Sequence, residues 1–80
     1  MPVTSAQLRM ARAALNWTVR DLAEATGLHR NTISNIEVGR YAGDDHSLRT
    51  IENVLRKAGI EFIEENGGGA GVRLKKSRKS

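Results

Sequence analysis

The sequence predicts a mainly α domain of four helices followed by a C-terminal β-hairpin. Apolar residues recur at spacings of three and four as far as Ala58, then alternate with charged residues beyond Gly59. Helix-start patterns occur at Val3–Leu8, Trp17–Leu22 and Leu28–Ile33. Glycines stand where three of the periodic runs stop, at Gly27, Gly39 and Gly59.

The first helix is expected over about residues 5–15. Thr4 is its N-cap, Gln7 sits at the capping-box position, and Val3 and Leu8 form the hydrophobic staple. It buries Leu8, Ala11 and Leu15, with the stem of Arg12 alongside. A second helix over 19–26 repeats the pattern, with Thr18 as cap, Asp21 near the positive helix end and Trp17 stapled to Leu22. It buries Leu22 and Ala23 and ends at Gly27, which can take the left-handed conformation that turns the chain. The third, over 30–38, buries Ile33 and Ile36, and its cap is His29, a weaker capping residue than Ser or Thr. After a loop at 40–46 in which Asp44 and Asp45 are placed to cap, a fourth helix over 47–58 turns Leu48, Ile51, Val54 and Leu55 inward.

Beyond Gly59, residues 60–64 and 72–75 read as antiparallel strands, with the glycine-rich Asn66–Gly71 as their turn. Glu61 is expected to oppose Arg73 or Lys75. A lone two-stranded hairpin is marginal in water, so this one must pack on the helices or pair with a second copy. The organisation expected is a helical unit at 1–58, a hairpin at 59–76 and a basic disordered tail at 77–80.

Eighty residues, 39% of them hydrophobic but only three aromatic (Trp17, Tyr41, Phe62), make one small domain with a compact core. Such domains often gain burial by dimerising. The absence of cysteine excludes disulfides and thiolate metal sites and fits a reducing compartment. No signal segment follows Met1, and no apolar run approaches the roughly 20 residues that span a bilayer. A soluble, cytoplasmic protein without a membrane partner is expected. The net charge of +4 is uneven, because residues 72–80 hold five cations and no acid while residues 1–71 hold eight cations against nine acids. A basic tail suits nucleic-acid contact and equally suits a solvated chain end.

The segment Trp17–Gly39 carries the chemistry. Two short helices meet at a tight turn, and the second presents amides, hydroxyls and an arginine on the face opposite Ile33 and Ile36. That is the arrangement that reads base edges in the major groove. Arginine suits guanine O6 and N7, and asparagine suits adenine N6 and N7, each through paired hydrogen bonds. Arg30, Asn31 and Asn35 are therefore the expected base readers, with His29, Thr32 and Ser34 in support through bases or phosphates.

These residues bear a family resemblance. Leu22-Ala23, Gly27, Asn31-Thr32-Ile33-Ser34, Ile36-Glu37 and Gly39, preceded by Arg12, resemble the phage-repressor/Cro (XRE) helix-turn-helix regulators over about residues 6–58. The resemblance implies a four-helix lambda-repressor-like domain, with helix two across the DNA backbone and helix three in the major groove. It implies an ion pair between Arg12 and Glu37 that braces the recognition helix, the lesser alternative being two unrelated surface charges. It implies phosphate contacts from Arg40 and Tyr41, just past helix three. Val19 departs from the pattern, since relatives often place a polar phosphate ligand there. Phosphate contact is expected instead from Thr18, Arg20 or the helix end with its free N–H groups. The family's usual final helix is replaced by the hairpin, which resembles Cro-style dimerisation through strands, with Ile60, Phe62, Ile63, Val72 and Leu74 as the expected interface.

Catalysis has little support. His29 and His46 fit no metal-ligand pattern, no nucleophile elbow occurs, and Asn66–Gly71 lacks the lysine-serine ending of a phosphate-binding loop. No cofactor or metal is expected. The leading expectation is a homodimeric, sequence-specific DNA-binding repressor of an inverted repeat, associated with the nucleoid. With no room for a sensor domain, control is expected from concentration, proteolysis or a protein partner such as an antirepressor. A second class is an antitoxin-like interaction module, whose strands or tail neutralise a toxin while the helices autoregulate its operon.

Overall fold

The computed structural model describes residues 3–75. Lys76 and the tail expected at 77–80 lie outside the described residues. In chain order the elements are α1 (Ser5–Ala14), α2 (Val19–Thr26), α3 (Arg30–Glu37), α4 (Asp45–Lys57), β1 (Ile60–Ile63) and β2 (Gly71–Leu74).

Side-chain capping sets the helix starts. Thr4 and Gln7 close a capping box on α1, and Thr18 with Asp21 closes another on α2. α4 begins two residues before the expected start because Asp44 caps it, accepting the Ser47 N–H at 2.9 Å. Helix ends follow the chain's left-handed residues. After α1, Asn16 takes a φ of 59°, its N–H reaches the Ala13 carbonyl at 3.0 Å, and Trp17 N–H reaches the Arg12 carbonyl at 2.9 Å. After α2, Gly27 at φ 78° turns the chain into α3.

The core comprises Leu8, Ala11, Leu22, Ile33, Ile36, Ile51, Leu55 and Ile60, drawn from all four helices and β1. Each buried Leu or Ile contributes about 1.5–3 kcal/mol. The exposed pairs Arg20–Glu24 and Arg49–Asp45, both at 3.7 Å, belong to a class worth about 0–1 kcal/mol each, so the core decides stability. Gly43 couples the loop to that core. It sits at φ 83°, and a Cβ there would lie 3.1 Å from Ile36 Cδ1 and 3.2 Å from Leu48 Cδ2.

β1 and β2 pair antiparallel with Ile60 opposite Leu74, Glu61 opposite Arg73, Phe62 opposite Val72 and Ile63 opposite Gly71. Arg73 Nε lies 3.0 Å from Glu61 Oε1, and Lys75 N–H extends the ladder to the Gly59 carbonyl at 2.7 Å. Arg56 on α4 stacks over the Phe62 ring, 5.3 Å from its centroid.

What fastens the hairpin is Gln7, fully buried on α1. Its amide donates to the Ile63 carbonyl at 3.0 Å and the Gly71 carbonyl at 2.9 Å, while its oxygen accepts the Thr4 N–H at 3.0 Å. The expectation that Ile60 faces a second copy does not hold. Ile60 is 1% exposed and lies in the core of its own chain, while Phe62 and Val72 pack partly buried against that core. Ile63 is half-buried, and Leu74, at 51% exposed, is the most open of the five.

Hydrogen bonds from Ser47, side chain first and backbone N–H second, hold the Asp44 carboxyl below its ordinary value of 3.8. A carboxylate with a depressed folded-state pKa contributes stability above its unfolded value and loses it as pH falls through the folded one. The thermal midpoint of the wild type is therefore expected to fall relative to Asp44→Asn below about pH 4, and to track it above. Asparagine caps without titrating, so a constant difference across an acid series would show that the cap is not the cause.

Candidate nucleic-acid interface

The third helix divides cleanly into two faces. Ile33, Ile36 and Glu37 are 1–3% exposed and point inward. Arg30 and Asn31 are exposed, and Thr32, Ser34 and Asn35 are half-buried. Among the described residues, the side chains of Arg30, Asn31, Thr32, Ser34 and Asn35 make no hydrogen bond within the chain, so their donors and acceptors stay available. His29 does act as a cap, its Nδ1 accepting the Asn31 N–H at 3.0 Å. That bond requires an unprotonated Nδ1, and it leaves Nε2 at the mouth of the helix.

Three side chains of α1 grip the last turn of α3. The Ser5 hydroxyl donates to the Ile36 carbonyl at 2.7 Å, and Arg9 donates to the Glu37 carbonyl. Arg12 meets the Glu37 carboxylate in a two-pronged pair, Nε and Nη2 each at 2.9 Å, and donates Nη1 to the Trp17 carbonyl at 3.0 Å. Glu37 holds the guanidinium firmly protonated, raising its pKa against the opposing effect of burial. The helix end is closed by Gly39 N–H on the Ile36 carbonyl at 3.1 Å and Arg40 N–H on the Asn35 carbonyl at 2.9 Å. The polar face of α3 is thus carried on a helix braced from behind.

Around it stand the expected phosphate ligands. Thr18 Oγ1 accepts the Asp21 N–H at 3.0 Å, which leaves its hydroxyl hydrogen free to donate. Val19 and Arg20, in the first turn of α2, keep N–H groups that no preceding helical carbonyl can take. Arg20 is exposed but leans towards Glu24, 3.7 Å away. Arg40 and Tyr41 are exposed in the loop after α3. Between α2 and the start of α3 lies a depression of about 560 Å³, floored by Ala23 and Leu28 and rimmed by Arg20, Glu24, His29 and Arg30.

A family model described as helix-turn-helix matches residues 8–62. The chain belongs to the helix-turn-helix family. More closely, it is an XRE/Cro-like member, and such a domain is a DNA-binding regulator. A search among curated proteins finds no match. The match covers α1 from Leu8 onward, the helix-turn-helix pair α2–α3, α4 and β1 as far as Phe62.

Within this helix-turn-helix domain, four residues carry roles beyond those read from the sequence. Ser5 and Arg9 join Arg12 on one face of α1, at a spacing of four and three that a helical reading can reveal. Gln7, a capping residue by its position in the sequence, also fastens the hairpin. Glu24 stands four residues after Arg20, the spacing of a helical ion pair. Among the described residues no cluster of His, Cys, Asp or Glu could hold a metal ion, and no helix is long and apolar enough to cross a membrane.

Proposed function

We propose that this helix-turn-helix regulator is a homodimeric, sequence-specific repressor that reads an inverted repeat through the major groove. Arg30 pairs with a guanine, Asn31 and Asn35 with adenines, and His29, Thr32 and Ser34 support them. Thr18, Arg20, Arg40 and Tyr41 meet phosphates and fix the register. The observation that carries this reading is the α3 face itself: unspent amide and guanidinium groups on a helix braced by Ser5, Arg9 and Arg12.

Dimerisation is proposed from recognition physics and from the hairpin's exposed edge. One α3 covers only a half-site, and two copies about a two-fold axis read half-sites about 34 Å apart, one turn of B-DNA. Leu74 and the free edge of the two-stranded sheet supply a surface for the second copy.

Selection from a pool of random duplexes tests the proposal. The expected result is a palindromic consensus whose half-site centres lie about one helical turn apart. Enrichment of a single asymmetric half-site would contradict the dimer, and no enrichment would contradict sequence-specific reading.

A further inference from the structure

The carboxylate of Glu24 stands where a DNA-facing surface should carry none. It shares the rim of the α2–α3 depression with Arg20, His29 and Arg30, and its Oε2 lies 3.7 Å from Arg20 Nε. The two side chains are 76% and 70% exposed, so the pair adds little to stability. It belongs neither to the brace behind α3 nor to the core.

We infer that Glu24 tempers DNA affinity by competing with phosphate for Arg20. The inference rests on the helix-turn-helix reading of the site. Non-specific affinity comes almost wholly from phosphate contacts, so each cation held back from the backbone lowers it. On an unrelated sequence no base contact fixes the register, and Arg20 stays with Glu24. On the correct site the bonds from α3 lock the register, a phosphate is held against Arg20, and its two negatively charged oxygens displace the single long contact from Glu24. Arg20 is then a phosphate ligand in the specific complex and a partner of Glu24 elsewhere.

The test compares wild type, Glu24→Gln, Arg20→Ala and the double variant in mobility shifts over a salt series. Each is run on an unrelated duplex and on the duplex selected by the wild type. On the unrelated duplex, Glu24→Gln is expected to bind about five-fold tighter, the size of one charge contact across water. Its log–log salt slope should steepen by about 0.9, one phosphate more. Affinity for the selected duplex should rise by at least as much, because there the wild type breaks the Arg20–Glu24 pair in full. In the Arg20→Ala background the same change should do nothing, because there is no arginine to release. Equal slope and affinity for Glu24→Gln and wild type on the unrelated duplex would overturn the inference and leave the helix-turn-helix reading intact. The same gain with and without Arg20 would also overturn it, since Glu24 would then act by plain repulsion. Failure of the wild type to bind any duplex in a salt-dependent way would overturn both.

Discussion

Arg12→Met is expected to cost about 3 kcal/mol of folding stability, the low end for breaking a buried ion pair, because Arg12 itself is 23% exposed. The Glu37 side chain, only 4% exposed, is left with a charge and no partner. For a domain of 80 residues this corresponds to a thermal midpoint lowered by more than about 10 °C. Arg12→Met with Glu37→Leu should recover most of the loss, since an apolar pair of similar volume carries no desolvation cost. Thermal denaturation of the four members of this cycle checks both statements. A loss below about 1 kcal/mol for Arg12→Met would put the pair in the class of surface bridges. The double variant should still bind DNA less sharply, because Arg12 also bonds the Trp17 carbonyl that leads into α2.

A change of one atom at Gln7 is expected to free the hairpin. Gln7→Glu keeps the acceptor for Thr4 N–H but loses both donors to the Ile63 and Gly71 carbonyls and sets a charge beside them. A buried carboxylate set against two carbonyl oxygens costs on the order of 3 kcal/mol, and the domain can avoid that cost by letting the strands lift from α1. Amide exchange at Glu61 and Arg73, which pair across the strands, should accelerate by a hundred-fold or more at pH 7, with Leu22 and Ile51 slowed or hastened only by the change in global stability. Uniform acceleration across all four would mean the hairpin and helices unfold as one unit, with no separate docking role for Gln7.

The helical part of the fold was legible because its signals are local. Capping residues, staples and apolar spacing act within one or two turns, and they placed α2 at its observed bounds. Errors came where one residue served two elements. Asp44 draws the start of α4 back to Asp45, an effect of a single side-chain bond. Ile60 reads as a strand residue free to face either way, and only the docking of β1 on the helices decides that it is core. Alternation along a strand tells which residues share a face, not what covers that face.

The candidate interface was legible for the same local reason and incomplete for a tertiary one. Arg30, Asn31 and Asn35 follow from the helical period and the buried Ile33 and Ile36. The brace by Ser5 and Arg9 joins residues 31 and 28 positions apart, and no periodicity spans that distance. Glu24 was in plain view, but its meaning depends on which surface meets DNA.

The claim on which the account depends is that the exposed face of α3 reads bases. The most direct measurement is the affinity of wild type and Asn31→Ala for the selected duplex and for an unrelated one, at one salt concentration and across a series. A loss of about ten-fold or more is expected on the selected duplex, the ~1–3 kcal/mol of one bidentate base contact. The salt slope and the affinity for the unrelated duplex are expected to stay unchanged, because Asn31 carries no charge. Equal affinity of Asn31→Ala and wild type for the selected duplex, with the same base preference, would contradict it.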